Sequence, residues 1–214
     1  MTNIVIMGAG GFGREVQWLI ERINEQEQTW NILGYVDDGM AVDRNVDGYR
    51  VLGGIDYLRS VKENIAVVCA IGSSKTRKKV ISRLLERSNI TFPNLVDPSV
   101  VMSGRIKMGQ GNIICAGNIL TVDIEMGDFN IINLDCTVGH DVMIDSFVTV
   151  YPSVNISGMV EVGSETELGT GTQIIQGKRI GENVIVGAGT VVIRDISCGC
   201  TVVGNPARVI KEQL

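Results

Sequence analysis

From Met102 onward every sixth residue of the chain is apolar: Met102, Met108, Ile114, Leu120, Met126, Ile132, Val138, Ile144, Val150, Ile156, Val162, Leu168, Ile174, Ile180, Val186, Val192 and Cys198. Two residues before these lies a smaller or β-branched position, including Val100, Ile106, Cys136, Val142, Val148, Val154, Val160, Thr166, Thr172, Val184 and Thr190. Glycine recurs immediately after the apolar residue, at Gly109, Gly127, Gly139, Gly163, Gly169, Gly181, Gly187 and Gly199. It suits turns that need unusual dihedrals. This period matches neither a helix nor a plain hairpin meander. It predicts a parallel β-helix, in which each hexad forms one short strand and a turn. Inward positions two apart follow from strand alternation, and since one rung cannot bury its own apolar face, rungs must stack. An ordinary β-sandwich with glycine-rich turns is the competing reading, but its strand spacing is longer and less even.

Three hexads per triangular coil stack residues eighteen apart in columns. Val122, His140, Gly158, Gln176 and Arg194 then share one column, and Asp123, Asp141, Met159, Gly177 and Asp195 the next. A lone histidine is more often a satisfied core or surface residue than a catalyst. His140, the single histidine of the chain, lies two residues past inward Val138 and therefore on an outward corner, with Gly158 above it.

Before the repeat the pattern changes. Ile4-Val5-Ile6-Met7 reads as a buried strand, and Gly8-Ala9-Gly10-Gly11-Phe12-Gly13 opens a helix whose Val16, Leu19, Ile20 and Ile23 share one apolar face. Strands are predicted at 32–36, ending at Asp37-Asp38, and at 66–71. The latter leads through Gly72-Ser73 into a helix with Val80, Ile81, Leu84 and Leu85 inward. Strands alternating with helices predict a short Rossmann-like parallel α/β domain of about four strands over residues 1–92, followed by the β-helix over 93–214.

The glycine motif with Asp37 and Asp38 downstream matches the dinucleotide fingerprint. A glycine-rich turn with free amides at a helix N-terminus accepts any phosphate, however. The unit is also short for a dinucleotide fold, so a nucleotide or nucleotide-sugar diphosphate is favoured over NAD. Glycines serving only a tight strand–helix turn is the plainer alternative. Lys75-Thr76-Arg77-Lys78-Lys79 reads either as a solvated helix face or as phosphate-contacting, being at the same sheet edge as the glycine loop.

The formal charge of -5 over 214 residues, with no dominant basic cluster, argues against nucleic acid. The opening residues do not resemble a signal peptide, and no segment is long enough to span a membrane, so a cytoplasmic location is expected. Five cysteines without framework spacing argue for a reducing compartment. Cys198-Gly199-Cys200 with one histidine supplies a zinc site poorly, so no metal is expected.

A short α/β head on a hexapeptide-repeat β-helix resembles the NeuD/PglD family of bacterial sugar acetyltransferases. The resemblance is carried by the 8–13 glycine loop, Asp37-Asp38, Ile71-Gly72-Ser73 with Arg77-Lys78-Lys79, and Asn133 followed by Gly139-His140-Asp141. Ile156-Ser157-Gly158 and the closing Val203-Gly204-Asn205-Pro206-Ala207 complete it. It implies a left-handed parallel β-helix and a homotrimer with active sites between subunits. Acetyl-CoA would be the cosubstrate and a nucleotide-activated amino sugar, UDP-linked, the acceptor. By resemblance His140 is the general base, Asp141 its carboxylate partner and Gly158 the backbone donor to the thioester carbonyl. Asn133 contacts the sugar, and Thr170 and Ala188 hold the CoA arm. Gly8, Gly10, Gly11, Phe12, Gly13, Asp37, Asp38, Gly72, Ser73 and Arg77 bind the nucleotide sugar.

Acetyl transfer needs a base near neutral pH, and imidazole supplies one. A neighbouring carboxylate fixes its tautomer, and an amide donor stabilises the developing oxyanion. Two departures from relatives stand out: Thr149 and Phe12 occupy positions where some members carry histidine. The rival readings are O-acetylation of a sialic acid or polysaccharide unit and, from a different class, a non-catalytic nucleotide-binding trimer. A γ-type carbonic anhydrase needs three histidines and is excluded.

Overall fold

A computed structural model of the chain describes residues 1–212. Two compact units are present, Met1–Pro98 and Ser99–Leu214, and residues 93–98 group with the first. Among the described residues no helix is long and apolar enough to cross a membrane.

The first unit contains β1 (Thr2–Met7), α1 (Gly11–Gln26), β2 (Trp30–Val36), β3 (Asn45–Val46), β4 (Tyr49–Gly53), α2 (Ile55–Ser60), β5 (Ile65–Cys69), α3 (Ser74–Ile81) and β6 (Ile90–Thr91). Its sheet runs β3-β4-β2-β1-β5-β6. Every pairing is parallel except the β3–β4 hairpin. The sheet is thus larger than the four strands expected, because β3, β4 and β6 are short and their apolar residues are interrupted and follow no clear period. Central β1 and β5 are buried along their apolar runs, as strands covered on both faces must be. α1 buries Val16, Leu19 and Ile20. The expected inward set of the third helix needs correction. α3 ends at Ile81, and beyond it Leu84 is buried while Leu85 is 50% exposed. Once the chain leaves the helix its period no longer holds.

The second unit is a parallel β-helix of two-residue strands on three faces, ending in a longer antiparallel pair, Cys200–Val203 with Arg208–Glu212. One face stacks Ile113–Ile114, Ile131–Ile132, Thr149–Val150, Glu167–Leu168 and Ile185–Val186. The second stacks Val101–Met102 through Thr137–Val138 and Asn155–Ile156 to Val191–Val192. The third runs from Lys107–Met108 to Arg179–Ile180. Each step is eighteen residues, as in Thr137 over Asn155.

The hexad residues from Ile114 to Val192 are buried, each contributing about 1.5–3 kcal/mol of apolar transfer. The repeat is looser at its ends, where Met102 and Met108 are half-buried and Cys198 is exposed. Asn112, Asn118 and Asn130 are also buried two residues before the apolar position. Their carboxamide oxygens accept the backbone N–H groups of Asn130, Cys136 and Val148 in the next coil. These polar residues therefore stitch the coils together instead of disrupting the core.

The glycines after the apolar position have a different purpose from the one expected. With the exception of Gly199 they do not have positive φ. A side chain on Gly139 would stand 2.6 Å from Gly158 N, and one on Gly163 2.7 Å from Gly181 C. Close approach of the next coil excludes a Cβ there. The left-handed conformation falls two residues later, at Asp123, Asp135, Asp141, Ser153, Met159, Gly171, Gly177, Asn183 and others. Glycine, Asp and Asn enter that region most readily.

Candidate active site

His140 is held by backbone on both sides. Gly139 N–H donates to Ile156 O at 2.8 Å, Asp141 N–H to Val122 O at 3.1 Å, and the carbonyl of His140 accepts from Met159 N–H at 2.8 Å. Asp141 sits at φ 58°, a conformation its short side chain tolerates. That turn carries Oδ2 to 2.7 Å from His140 Nδ1. Both side chains are about half exposed, 49% and 58%. With the imidazole proton on Nδ1 and donated to Asp141, the lone pair is on Nε2.

Nε2 lies against Gly158. A Cβ built on that glycine would stand 2.5 Å from Nε2, 2.6 Å from Cε1 and 2.9 Å from Cδ2. Gly158 is buried. Its flanking amides are committed, Ser157 N–H to Ile174 O and Met159 N–H to His140 O, while no acceptor among the described residues takes Gly158 N–H. The column assignment from the repeat therefore brings together an imidazole, a carboxylate and a backbone N–H.

Asn133, Thr170 and Ala188 are not brought to that corner. They follow the strands Ile131–Ile132, Glu167–Leu168 and Ile185–Val186, on the corner that precedes the His140 face. Thr170 and Ala188 stack one coil apart, both exposed, with Thr170 O accepting from Gly189 N–H at 2.8 Å. A Cβ on Gly189 meets nothing within 4 Å, so the backbone is open at that point of the corner, whereas Gly169 and Gly187 are closed by neighbours at 2.6 Å and 2.7 Å. Asn133 Oδ1 accepts from Leu134 N–H at 2.8 Å, leaving its amide group available to a ligand. Thr149 is buried, so its hydroxyl does not stand at the surface where some relatives carry a histidine.

In the first unit the glycine loop joins β1 to α1 at the C-terminal edge of the sheet, where strand order reverses between β2 and β5. This is where α/β sheets bind ligands. Gly8 and Gly13 are required by the fold: Gly8 has φ 101°, and a Cβ on Gly13 would stand 2.0 Å from Gly8 O. Gly10 and Gly11 are different, since a Cβ on either meets nothing within 4 Å. No packing inside the unit demands glycine there. Bare backbone of this kind admits close approach by a ligand. Phe12 follows in the first turn of α1, half-buried.

A cavity of about 210 Å³ lies beside the loop, lined by Met7, Gly8, Asp37, Asp38, Ile71 and Thr76 among others. The acids that edge it are already engaged by backbone. Asp37 bridges Ala9 N–H at 2.9 Å and Gly39 N–H at 2.8 Å, and Asp38 accepts from Ile55 N–H at 2.8 Å at the start of α2. Ser73 caps α3.

Arg77 is placed differently from the expectation for a phosphate-contacting residue. It is 1% exposed and donates to the carbonyls of Ile71 at 2.7 Å and Gly72 at 3.0 Å. It shapes the Gly72-Ser73 turn from beneath, because helical spacing turns position 77 inward while Lys75, Lys78 and Lys79 face out. The cations beside Gly10 and Gly11 are instead Arg14 and Arg44, on a second cavity of about 310 Å³. Arg14 directly follows the glycine loop in sequence; nothing local points to Arg44.

Comparison with known proteins shows the family and the fold. The PglD N-terminal domain family matches residues 3–84. GDP-perosamine N-acetyltransferase of Escherichia coli O157:H7 is 30% identical, over 97% of this chain and 96% of its own. The chain belongs to the NeuD/PglD family of sugar acetyltransferases. Two solved structures extend the match. The acetyltransferase domain of PglB from Neisseria gonorrhoeae FA1090, in complex with acetyl coenzyme A, is 29% identical, covers 97% of this chain and 98% of its own, and gives a TM-score of 0.89. PerB from Caulobacter crescentus, in complex with CoA and GDP-perosamine, is 30% identical, covers 99% and 98%, and gives 0.85.

Proposed function

We propose that this family member is an acetyl-CoA-dependent N-acetyltransferase acting on an amino sugar carried by a nucleoside diphosphate, with His140 as base. One observation carries the reading: His140 Nδ1 lies 2.7 Å from Asp141 while Nε2 lies over Gly158. In this arrangement His140 Nε2 accepts the proton of the attacking amine. Gly158 N–H donates to the carbonyl oxygen as it gains charge, and the imidazolium returns its proton to the departing thiolate of CoA. Asp141 steadies the imidazolium while the proton is held.

The second corner, with Thr170 and Ala188 exposed one above the other and the backbone open at Gly189, suits an extended pantetheine arm. Because His140 and that corner are separate in one chain, a second copy must bring its corner against the first. A homotrimer with sites between neighbouring subunits satisfies this. The bare Gly10-Gly11 backbone at the start of α1 receives the diphosphate. Related proteins are named for or bound to GDP-perosamine. A GDP-linked amino sugar is therefore the first acceptor to test, ahead of the UDP-linked sugar favoured by the sequence reading. CoA-thiol release measured with GDP- and UDP-amino sugars tests this. Release only with a nucleotide-linked amine supports the reading, and release with none overturns it.

A further inference from the structure

Met159 occupies a position that the β-helix alone does not account for. Along the repeat, the left-handed corner positions from Gly111 to Gly189 hold Gly, Asp, Ser, Asn or Glu, apart from three apolar residues: Phe129, Phe147 and Met159. The two aromatic residues are explained by packing, since their rings stack at 5.3 Å and Phe129 is buried. Met159 adopts φ 57° with its side chain 48% exposed. A conformation unfavourable to methionine is thus combined with an apolar side chain that its own chain leaves half uncovered, and neither helps the fold of that chain.

Its place gives a reason. Met159 directly follows Gly158 and stacks one coil over Asp141, and its N–H is tied to His140 O at 2.8 Å. Its Cβ is therefore fixed relative to the base. Gly177, the next residue of its column, leaves open space, with nothing within 4 Å of a Cβ. Ile175, 42% exposed, continues the apolar surface one coil on from Ser157. A thioester carbonyl oxygen held at Gly158 N–H keeps the acyl methyl close to that amide, and the side chain attached to the next residue is that of Met159.

We infer that Met159 forms the apolar wall against the acyl group and limits its length. This rests on the acetyltransferase reading above. Methionine is suited to the task, being unbranched and able to fill an irregular gap.

The test is the ratio of kcat/KM for propionyl-CoA to that for acetyl-CoA, at saturating acceptor, in the wild-type protein and in Met159→Gly, Met159→Asn and Met159→Phe. Glycine and asparagine suit the left-handed conformation, and phenylalanine already occurs at two equivalent corners, so all three keep the fold. A fitted apolar site discriminates one methylene by about tenfold or more. Met159→Gly and Met159→Asn are expected to raise the ratio by about tenfold, and Met159→Phe to lower it. An unchanged ratio overturns the inference. So does a change confined to the acceptor's KM, which would put Met159 against the sugar. If the wild-type protein turns over no acetyl-CoA, the acetyltransferase reading fails instead, and the two failures are distinct.

Discussion

Replacing Gly158 by alanine displaces the His140 imidazole, the proposed base, without changing it chemically. The new Cβ would stand 2.5 Å from His140 Nε2 and 2.6 Å from Cε1. Ordinary contact begins at about 3.5 Å, so the ring must retreat by about 1 Å. The ring is free to do so, since the side chain is 49% exposed, but it then leaves its 2.7 Å contact with Asp141. A 1 Å misplacement of a catalytic group costs about 100-fold in rate, while the loss of stability should be under about 1 kcal/mol because no buried atom moves. Gly139→Ala is the control. Its Cβ would stand 2.6 Å from Gly158 N and 2.9 Å from Ser157 C, backbone atoms that yield only if the coils separate, at about 1–3 kcal/mol. Steady-state CoA release and thermal denaturation of the two variants separate the effects. Gly158→Ala should lower kcat about 100-fold with an almost unchanged melting temperature, and Gly139→Ala should lower both. In a His140→Ala background Gly158→Ala should add little, since both changes act through the same ring. Wild-type kcat in Gly158→Ala, or equal destabilisation by the two alanines, would refute the placement of Nε2 over Gly158.

Other consequences follow from the same geometry. His140→Ala should keep the fold and oligomer, as judged by gel filtration and melting, while kcat falls by about 10²- to 10⁴-fold. Mixed oligomers of His140→Ala with Thr170→Trp should regain CoA release, because an intact His140 corner on one copy then meets an intact Thr170 corner on the next. No recovery after confirmed subunit exchange would place the whole site in one chain. Arg77→Ala should lower stability by about 3 kcal/mol in chemical denaturation, since two turn carbonyls lose their donor. Burial pushes the Cys69 thiol up to about 12 and the Cys136 thiol up to about 11. Both hold their protons more tightly folded than unfolded. The stability they contribute is whole below the ordinary thiol value of 9.0 and is lost as pH rises through those folded values. Denaturation midpoints from pH 8 to 11 should fall accordingly, and a thiol reagent should modify exposed Cys198 in the native protein but Cys69 and Cys136 only on unfolding.

Most of the β-helix was legible because its inward positions repeat without a gap, and one register places every side chain. The same register put His140 outside and Gly158 above it. What the period does not carry is the reason for each residue. Glycines such as Gly139 are set by the distance to the next coil, which has no signature along the chain, and not by φ. Buried Asn112, Asn118 and Asn130 look like faults in an apolar repeat until their bonds to the next coil are seen. In the first unit β4 was missed because its short run, partly buried, lacks the continuous apolar character of β1 and β5. The inward turn of Arg77 was not legible because a basic run on a helix does not reveal which member faces the core. Conversely, the acids Asp37 and Asp38 lie at the expected sheet edge, but their bonds to Ala9, Gly39 and Ile55 show that they first shape the loops around the cavity.

The most direct measurement is mass analysis of an amino sugar linked to GDP or UDP after incubation with acetyl-CoA, alongside CoA release, for the wild-type protein and His140→Ala. The account predicts one acetyl group added at the sugar amine per CoA released, with both signals nearly lost in His140→Ala. Tight binding of the nucleotide sugar without acetylation, or equal acetylation by His140→Ala, would contradict it.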